Sequence, residues 1–476
     1  MHSSKKIGLL LGPIIFFIIQ FLPLTLVSEK GDAVIAVAIW MVIWWITETV
    51  NIAVTALLPL ILFPLLKVMP IADVGANYGS PIIFLFFGGF VLALALEKVN
   101  LHKRIALNII KFTGTTPNKV VLGFMLATAF MSMWISNTAS TVVMLPIAIS
   151  VIKLLIDNKD GFAKGDKNFA LSIMLGIAFA ANAGGIATVI GTPPNSVLIG
   201  LLENQYNIQI SFLTWMSFGL PFSMVMIVAV YVVLVKWMFP CKDLLFTASS
   251  SLISEEIEKL GRVSKEEKRV LIIFAFTVFL WITRTIINKL VPGLKLSDTV
   301  ISLIGAVSLF AIPMSFTKRN FILQWKDTEK LAWGILILFG GGLALAKGMA
   351  SSGLVDLITE TIATGNFNVL VTVSLLIILM LFMTELMSNV ALVAVLAPVV
   401  AGIAVGLNIP ILNLLIPVTM ASSCAFMLPM ATPPNAIVFS SGYVKVNEMV
   451  KAGIILNTIA VGLLILYYQF VIPLFF

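Results

Sequence analysis

Long apolar stretches separated by short polar loops run along the whole chain. They predict membrane-spanning helices near residues 7–27, 33–49, 51–66, 80–96, 169–200, 212–238, 271–290, 299–316, 332–348, 411–444 and 452–475, and two hydrophobic pairs of segments at 120–156 and 369–408. The first stretch contains no Asp, Glu, Lys or Arg and is long enough to cross a hydrocarbon core, which needs about 20 helical residues. The pattern therefore predicts an all-α polytopic membrane protein, with about eleven crossings if each pair enters and leaves on one side.

Composition and charge support this interpretation. Hydrophobic residues make up 60% of the 476 residues and charged residues only 11%, which is typical of membrane proteins. The formal net charge is +8, but most Lys and Arg residues lie in alternate loops, as the positive-inside rule requires, and not in a nucleic-acid-binding patch. We therefore expect a multi-pass protein of a plasma membrane, of bacterial type, in contact with the lipid bilayer. Its N-terminus should be cytoplasmic and its C-terminus extracellular, with no nucleic acid partner.

Two motifs occur twice at the same distance along the chain. The triplet Ser-Asn-Thr at 136–138 returns 252 residues later as Ser-Asn-Val at 388–390, and Phe-Phe-Gly-Gly at 86–89 returns at the same offset as Leu-Phe-Gly-Gly at 338–341. The first Gly-Gly segment leads into a basic loop and the second follows one, so the two halves are predicted to have opposite orientations. Inverted repeats with binding elements near the bilayer midplane are characteristic of secondary transporters.

A third motif, Thr-Pro-Pro-Asn, lies at 192–195 and at 432–435, each time inside a long apolar segment. Proline lacks an N–H group and pushes the preceding residue out of helical geometry, so each segment should break at its Thr. Thr suits an N-cap and Pro the first helical position, so Thr192 and Thr432 should each begin a new half-helix. The free N–H groups at the start of each half-helix favour an anion, and the carbonyl groups released at the break suit a small cation such as sodium.

The sequence predicts the domain organisation but leaves the topology of the two hydrophobic pairs open. A re-entrant hairpin and two complete spans have the same parity, so the charges of the loops do not distinguish them. The predicted parts are N-terminal scaffold spans with the start of the first repeat (1–110), the first hairpin, broken helix and following span (111–240), a cytoplasmic connector (241–270), the scaffold spans of the second repeat (271–362), and the second hairpin, broken helix and last span (363–476).

Together these motifs resemble the divalent anion/sodium symporter family of di- and tricarboxylate transporters. The resemblance covers essentially the whole chain, and its most specific part is Ala-Phe-Met-Leu-Pro at 425–429 running into the second Thr-Pro-Pro-Asn block. Gly-Gly at 184–185 and Thr-Glu at 384–385 also belong to it. It implies a homodimer of scaffold and transport domains with an elevator-type alternating-access movement. It also implies about 11 transmembrane helices, two broken helices and two re-entrant hairpins, whose tips contact the carboxylates of the substrate.

The resemblance implies a set of ligands, residue by residue. Substrate contacts fall on Ser136, Asn137, Thr138, Thr192, Ser388, Asn389, Thr432 and Pro433. A first sodium site uses Ser132, Ser136, Asn137 and Gly191, and a second uses Thr384, Ser388, Asn389 and Ala431. The implied activity is sodium-coupled symport of C4–C6 di- or tricarboxylates such as succinate, malate, fumarate or 2-oxoglutarate, with no cofactor besides sodium as coupling ion.

Two departures from the family pattern leave an alternative open. Val390 stands where the family usually has the Thr of the second triplet, and Asn-Ala-Gly-Gly at 182–185 replaces the usual Ser-Ile-Gly-Gly beside the first break. A sodium-independent exchanger of dicarboxylates would need the anion site but could relax the cation sites. The other interpretation is that Val390 changes only the substrate preference.

An enzyme and a channel are the competing classes. Intramembrane hydrolysis would need a nucleophile with a base or a set of metal ligands, yet His2 and His102 are the only histidines and no His-Glu-x-x-His motif occurs. A channel would not need two inverted sets of broken helices. We therefore predict a membrane transporter and not an enzyme.

The charged residues within predicted spans have separate expectations. Arg284, Lys347 and Lys153 lie near enough to predicted membrane boundaries to snorkel. Glu48 and Glu385 are expected to take part in structural pairing or to add an electrostatic effect, because a carboxylate repels an anionic substrate.

Overall fold

The computed structural model describes residues 3–21, 28–114, 116–156, 164–241, 249–291, 293–315, 320–365 and 367–476. Nearly all of them are helical, and the strands in these ranges form a single short antiparallel pair, Pro313–Ser315 with Asn320–Phe321. By length and composition, eight of the described helices could cross a membrane. The predicted all-α polytopic fold is confirmed, while the number of crossings stays a prediction.

The described part of the first half contains twelve helices. They are α1 (Ser3–Phe21), α2 (Glu29–Thr47), α3 (Ile52–Thr55), α4 (Leu58–Leu65), α5 (Ile71–Tyr78), α6 (Pro81–Lys98), α7 (Leu101–Thr113), α8 (Pro117–Ser132), α9 (Asn137–Ile156), α10 (Lys164–Gly185), α11 (Pro193–Tyr206) and α12 (Phe212–Tyr231). Helix α12 continues as a π-helical segment, Val232–Met238. Residues 22–27, the end of the first predicted span, lie outside the described ranges.

The second half repeats this order after a connector. Its helices are α13 (Ser249–Lys259), α14 (Lys265–Leu290), α15 (Asp298–Ala311), α16 (Trp333–Ser351), α17 (Leu354–Thr364), α18 (Val369–Met383), α19 (Asn389–Gly406), α20 (Ile411–Ala421), α21 (Pro433–Ser440) and α22 (Val446–Leu466), with short 3-10 segments at Trp325–Lys330 and Ile472–Leu474 and a π-helical segment at Tyr467–Val471. In each half a long apolar helix is followed by a shorter helix, a helical hairpin and a broken helix, so the internal repeat is visible in the order of elements.

Two predicted spans are shorter than expected. The segment 51–66 is divided into α3 and α4, because Pro59 has no N–H to donate to Thr55, and the turn between them uses bonds such as Leu57 N to Val54 O at 3.1 Å. The segment 299–316 is helical only to Ala311, since Ile312 is extended before Pro313. Helices α3 and α4 have 4 and 8 residues and α15 has 14, so neither segment exceeds roughly 21 Å of helix, which is less than a hydrocarbon core of about 30 Å.

The hairpins and the broken helices pack crosswise between the halves. The second arm of the first hairpin, α9, packs against the half-helix α21, and the second arm of the second hairpin, α19, packs against the half-helix α11. Both hairpins and both breaks contribute to one large apolar core, whereas α2, α4 and part of α16 form a smaller one. The crosswise packing brings each hairpin next to the break of the other half.

Candidate functional site

The tip of the first hairpin holds three oxygen atoms together. The hydroxyl of Ser132, the last residue of α8, lies 2.5 Å from Oδ1 of Asn137, the first residue of α9. The same hydroxyl lies 2.7 Å from the carbonyl oxygen of Ala181 on α10. A hydroxyl has one hydrogen to donate, so a side-chain hydroxyl, an amide oxygen and a backbone carbonyl are concentrated at one point.

The tip of the second hairpin repeats this arrangement with different residues. The hydroxyl of Thr384 lies 2.7 Å from Oδ1 of Asn389 and 2.7 Å from the carbonyl oxygen of Ser422. Thr384 and Asn389 stand 252 residues after Ser132 and Asn137. Oxygen-rich clusters of this kind suit hard cations, so each tip has the donor set that a sodium ion would use.

The other triplet residues lie toward the open side of the tips. Ser136 and Thr138 are exposed, and the Ser136 hydroxyl accepts a hydrogen bond from Ala139 N at 3.1 Å, which caps the start of α9. Ser388 and Val390 are half-buried. Ser388 is the N-cap of α19, but its side chain makes no capping hydrogen bond. The two tips therefore match in their buried part and differ at the surface that a substrate would meet.

Both half-helices begin at the predicted threonine. Thr192 and Thr432 have extended backbones, with φ of −139° and −141°, and the following Pro-Pro pairs open α11 and α21. The predicted half-helix starts are confirmed, but the preceding helices α10 and α20 end earlier than predicted, at Gly185 and Ala421. Thr432 also accepts a side-chain hydrogen bond from Asn435 N, whereas the Thr192 side chain makes no such bond. Both threonines are buried, while Pro433 is exposed.

The asparagine of each Thr-Pro-Pro-Asn block ties the unwound segment to the half-helix. Nδ2 of Asn195 lies 2.9 Å from the carbonyl oxygen of Thr188. Nδ2 of Asn435 lies 3.1 Å from the carbonyl oxygens of Ala425 and Leu428. These contacts satisfy carbonyl groups that the break removes from the helix. The motif was recognised from the sequence, but this role of its asparagines was not.

Glycines bring the first break against the first tip. A Cβ at Gly185 would lie 2.6 Å from Oδ1 of Asn137, and a Cβ at Gly191 would lie 3.0 Å from the carbonyl oxygen of Ser132. Only a residue without a side chain allows this approach. Ser132, Asn137 and Gly191, three of the four predicted ligands of the first sodium site, are therefore close together. In the second half, Ala431 is buried directly before Thr432.

A side chain of the first half reaches the second break. Nδ2 of Asn182 on α10 lies 3.1 Å from Oγ1 of Thr432 and 3.0 Å from the carbonyl oxygen of Ala425. From the sequence, Asn182 was expected to lie only beside the first break. The spacing of the Thr-Pro-Pro-Asn motifs does not reveal that Asn182 has a hydrogen-bond partner 250 residues away.

Glu385 supports the unwound segment before the second break. Its Oε1 accepts hydrogen bonds from Phe426 N and Met427 N at 2.9 Å and from Nδ2 of Asn457 at 2.7 Å, and its Oε2 accepts one from Leu428 N at 3.0 Å. This agrees with the structural pairing expected for Glu385. Asn457 was not singled out from the sequence.

Arg284 forms an ion pair that the sequence did not predict. Its Nη1 lies 3.0 Å from Oδ1 of Asp298, and the arginine side chain is only 19% exposed. A partner carboxylate is available at the start of α15, so the guanidinium group is paired within the protein.

Known proteins resemble this chain in sequence and in fold. It is 40% identical over 479 residues to the sodium-dependent dicarboxylate transporter SdcS of Staphylococcus saprophyticus, covering 99% of this chain and 92% of that protein. It is 39% identical, with the same coverage, to the protein of that name from Staphylococcus aureus strain USA300.

Two solved structures share the fold. The YdaH transporter of Alcanivorax borkumensis has a TM-score of 0.54 at 14% identity, covering 84% of this chain and 88% of that chain. The antimetabolite efflux protein MtrF of Neisseria gonorrhoeae has a TM-score of 0.51 at 12% identity, covering 84% and 83%. At such low identity the likeness concerns the fold alone.

A model of the sodium:sulfate symporter transmembrane region matches residues 3–476. The match includes both tips and both breaks, and the resemblance predicted from those motifs is confirmed. The chain therefore belongs to the sodium:sulfate symporter transmembrane region family of membrane transport proteins.

Proposed function

We propose that this protein is a secondary active transporter that couples the uptake of C4–C6 di- or tricarboxylates, of the succinate, malate, fumarate and 2-oxoglutarate class, to sodium. The observation that carries the proposal is the duplicated oxygen cluster, Ser132 with Asn137 and Thr384 with Asn389, each next to a helix break. The dicarboxylate relatives that share the whole length of the chain support it.

The substrate site would combine both tips with both half-helix starts. Its contacts would be Ser136, Asn137, Thr138, Thr192, Ser388, Asn389, Thr432 and Pro433. These groups are neutral, so they would hold a dianion through hydroxyl groups, amides and the positive ends of two helix dipoles. A site without a bidentate arginine lets the substrate leave again, as turnover requires.

Sodium would act on the tips before the substrate binds. The first site would use Ser132, Ser136, Asn137 and Gly191, and the second Thr384, Ser388, Asn389 and Ala431. A cation within each oxygen cluster would fix the orientation of Asn137 or Asn389, whose amide N–H groups would then face the carboxylates. Because each ion also offsets one negative charge, sodium and substrate would raise each other's affinity.

Transport would follow from the inverted repeat. A basic loop follows the first Gly-Gly segment and precedes the second, which supports halves of opposite orientation, with a cytoplasmic N-terminus and an extracellular C-terminus in a bacterial plasma membrane. The two hairpins would be re-entrant segments. Together with the broken helices, within residues 111–240 and 363–476, they would form a transport domain. This domain would move as an elevator against the scaffold spans at 1–110 and 271–362. Two chains would assemble as a homodimer through the scaffold.

Uptake into proteoliposomes tests the proposal. Purified protein is reconstituted, and uptake of labelled succinate is measured with the sodium gradient and the internal dicarboxylate varied independently. Symport predicts uptake that requires external sodium and proceeds without internal substrate. Uptake that requires internal dicarboxylate and ignores sodium would replace symport with exchange, and no uptake of any C4–C6 carboxylate would refute the proposed substrate class.

A further inference from the structure

The side chain of Asn182 connects the two halves at the second break. Asn182 lies one turn before Gly185, the last residue of α10, and is 1% exposed. Its Nδ2 lies 3.0 Å from the carbonyl oxygen of Ala425, 3.1 Å from Oγ1 of Thr432 and 3.3 Å from Oδ1 of Asn435. All three acceptors belong to the second half. A carboxamide of the first half therefore touches the cap of the second half-helix.

Two of the three acceptors of the Asn182 amide have a second donor. The carbonyl oxygen of Ala425 also accepts from Nδ2 of Asn435 at 3.1 Å, and Oγ1 of Thr432 also accepts from Asn435 N at 3.4 Å. Removing the Asn182 amide leaves these two acceptors with another donor, and among the described contacts only Oδ1 of Asn435, the most distant acceptor at 3.3 Å, loses its donor. The consequence of the contact is the position of Thr432, more than the stability of the fold.

Among the described residues, the contact has no counterpart at the first break. The two Thr-Pro-Pro-Asn blocks are 240 residues apart, which places Ser422 opposite Asn182. The Ser422 hydroxyl donates within its own segment, to Thr419 O at 2.7 Å. The amide of Asn195 likewise bonds within its own half, to Thr188 O. The contact therefore runs in one direction, from the first half to the second break.

The same end of α10 touches the first tip. A Cβ at Gly185 would lie 2.6 Å from Oδ1 of Asn137, and positions three residues apart on a helix are neighbours on one face, about 5–6 Å apart. One turn of α10 thus separates the residue that touches Asn137 from the residue that bonds to Thr432. A dicarboxylate that bridges the first tip and the second half-helix would depend on this spacing.

We propose that Asn182 is a positioning residue that fixes Thr432 relative to the first tip and so sets the affinity for the dicarboxylate. This inference rests on the proposed function, because it assumes that Thr432 contacts the substrate. Asn182 itself acts through Thr432 and does not touch the substrate.

Two asparagines of the same helix provide a matched comparison. Asn168 also lies on α10, and its Nδ2 bonds within its own half, to Pro240 O at 3.1 Å. Asn182→Ala should raise the KM for succinate about fivefold, the usual effect of one lost hydrogen bond, with kcat changed less than about twofold. Asn168→Ala should leave both values unchanged. An unchanged KM in Asn182→Ala, or an equal rise in both variants, would overturn the inference.

A double-mutant cycle identifies the partner. If Asn182 acts through Thr432, then Asn182→Ala should add little to the KM of a Thr432→Val variant, while its effect should add fully to that of Thr192→Val at the other break. Additivity in both cycles would contradict the assignment.

Hydrogen exchange separates this inference from the proposed function. In the substrate-free protein, Asn182→Ala should speed deuterium uptake in residues 425–436 relative to Asn168→Ala, because the start of α21 loses a restraint. Equal uptake in both variants would overturn the positioning role. A wild-type protein that transports no dicarboxylate would refute the proposed function, and the exchange comparison would still decide whether Asn182 positions the second break.

Discussion

The hydroxyl of Ser132 lies 2.5 Å from Oδ1 of Asn137, and 252 residues later the hydroxyl of Thr384 lies 2.7 Å from Oδ1 of Asn389. Each pair closes the tip of one helical hairpin and adds a backbone carbonyl from the neighbouring helix. The two halves thus use different hydroxyl residues to build the same cluster of oxygen atoms. The two halves share the set of oxygen ligands and not the type of residue that supplies the hydroxyl.

Removal of a tip hydroxyl should weaken sodium binding. Ser132→Ala or Thr384→Val removes one oxygen from a cluster, so the sodium concentration for half-maximal succinate uptake should rise several-fold, because an ion loses one ligand. Thr384→Ser keeps the oxygen and should retain near wild-type sodium dependence. The measurement is initial uptake against sodium concentration at saturating succinate.

A hydroxyl on the same helix serves as the control for this experiment. Thr128 is buried on α8 and donates within the helix, to Phe124 O at 2.6 Å. Thr128→Val should leave the sodium dependence unchanged. If Ser132→Ala and Thr384→Val both behave like Thr128→Val, the oxygen clusters are not cation sites.

Glu385 should be required for the stability of the second break. Replacement by Ala leaves three backbone N–H groups and the Asn457 amide without their acceptor, and each buried donor left unpaired costs about 1–3 kcal/mol. Glu385→Ala should therefore lower the thermal unfolding temperature of the purified protein strongly. Glu385→Gln keeps one acceptor oxygen and should lower it less.

Glu360 provides the comparison for Glu385. It is exposed on α17, so Glu360→Ala should change the unfolding temperature little, because surface substitutions cost within about 0.5 kcal/mol. Equal unfolding temperatures for Glu385→Ala and Glu360→Ala would show that the carboxylate does not hold the unwound segment.

Val390 should affect the choice of substrate more than the coupling to sodium. It is half-buried at the start of α19, next to Asn389, and brings a methyl group where a hydroxyl would stand. Val390→Thr should change the ratio of succinate to 2-oxoglutarate uptake severalfold, because an added hydrogen-bonding group changes discrimination by about 1–2 kcal/mol. Sodium dependence should be retained.

The opposite result for Val390 has a clear meaning. If wild-type uptake ignores sodium and Val390→Thr makes it sodium-dependent, the missing hydroxyl had relaxed the coupling and the wild type is an exchanger. Val390→Ala, which adds no polar group, is the control for the change in side-chain volume.

Much of the fold followed from local rules in the sequence. Proline after Thr192 and Thr432 determines the breaks, because its missing N–H and its effect on the preceding residue act within a few residues. The same rule, applied to Pro59 and Pro313, would have shortened the spans predicted at 51–66 and 299–316. Those spans were instead predicted from the hydropathy of the segments. The short helices α7 and α17 were missed because, with 13 and 11 residues, they are too short to be read as membrane spans.

The long-range contacts of the site could not be read from the sequence. The carbonyl oxygens of Ala181 and Ser422 enter the tips as backbone atoms, which carry no residue signal. Asn182 reaches Thr432 only because α10 packs against α21. The contacts of Glu385 with residues 426–428 likewise depend on how the second hairpin packs beside the unwound segment. Such contacts depend on tertiary packing that no local pattern specifies.

Equilibrium binding of labelled succinate to the purified protein in sodium tests the central claim most directly, namely that the two tips belong to one substrate site. The wild type should bind one succinate per chain, and Asn137→Ala and Asn389→Ala should each abolish that binding, although the two residues lie in different halves. Two succinates per chain, of which each substitution removes one, or wild-type binding in either variant, would contradict a shared site.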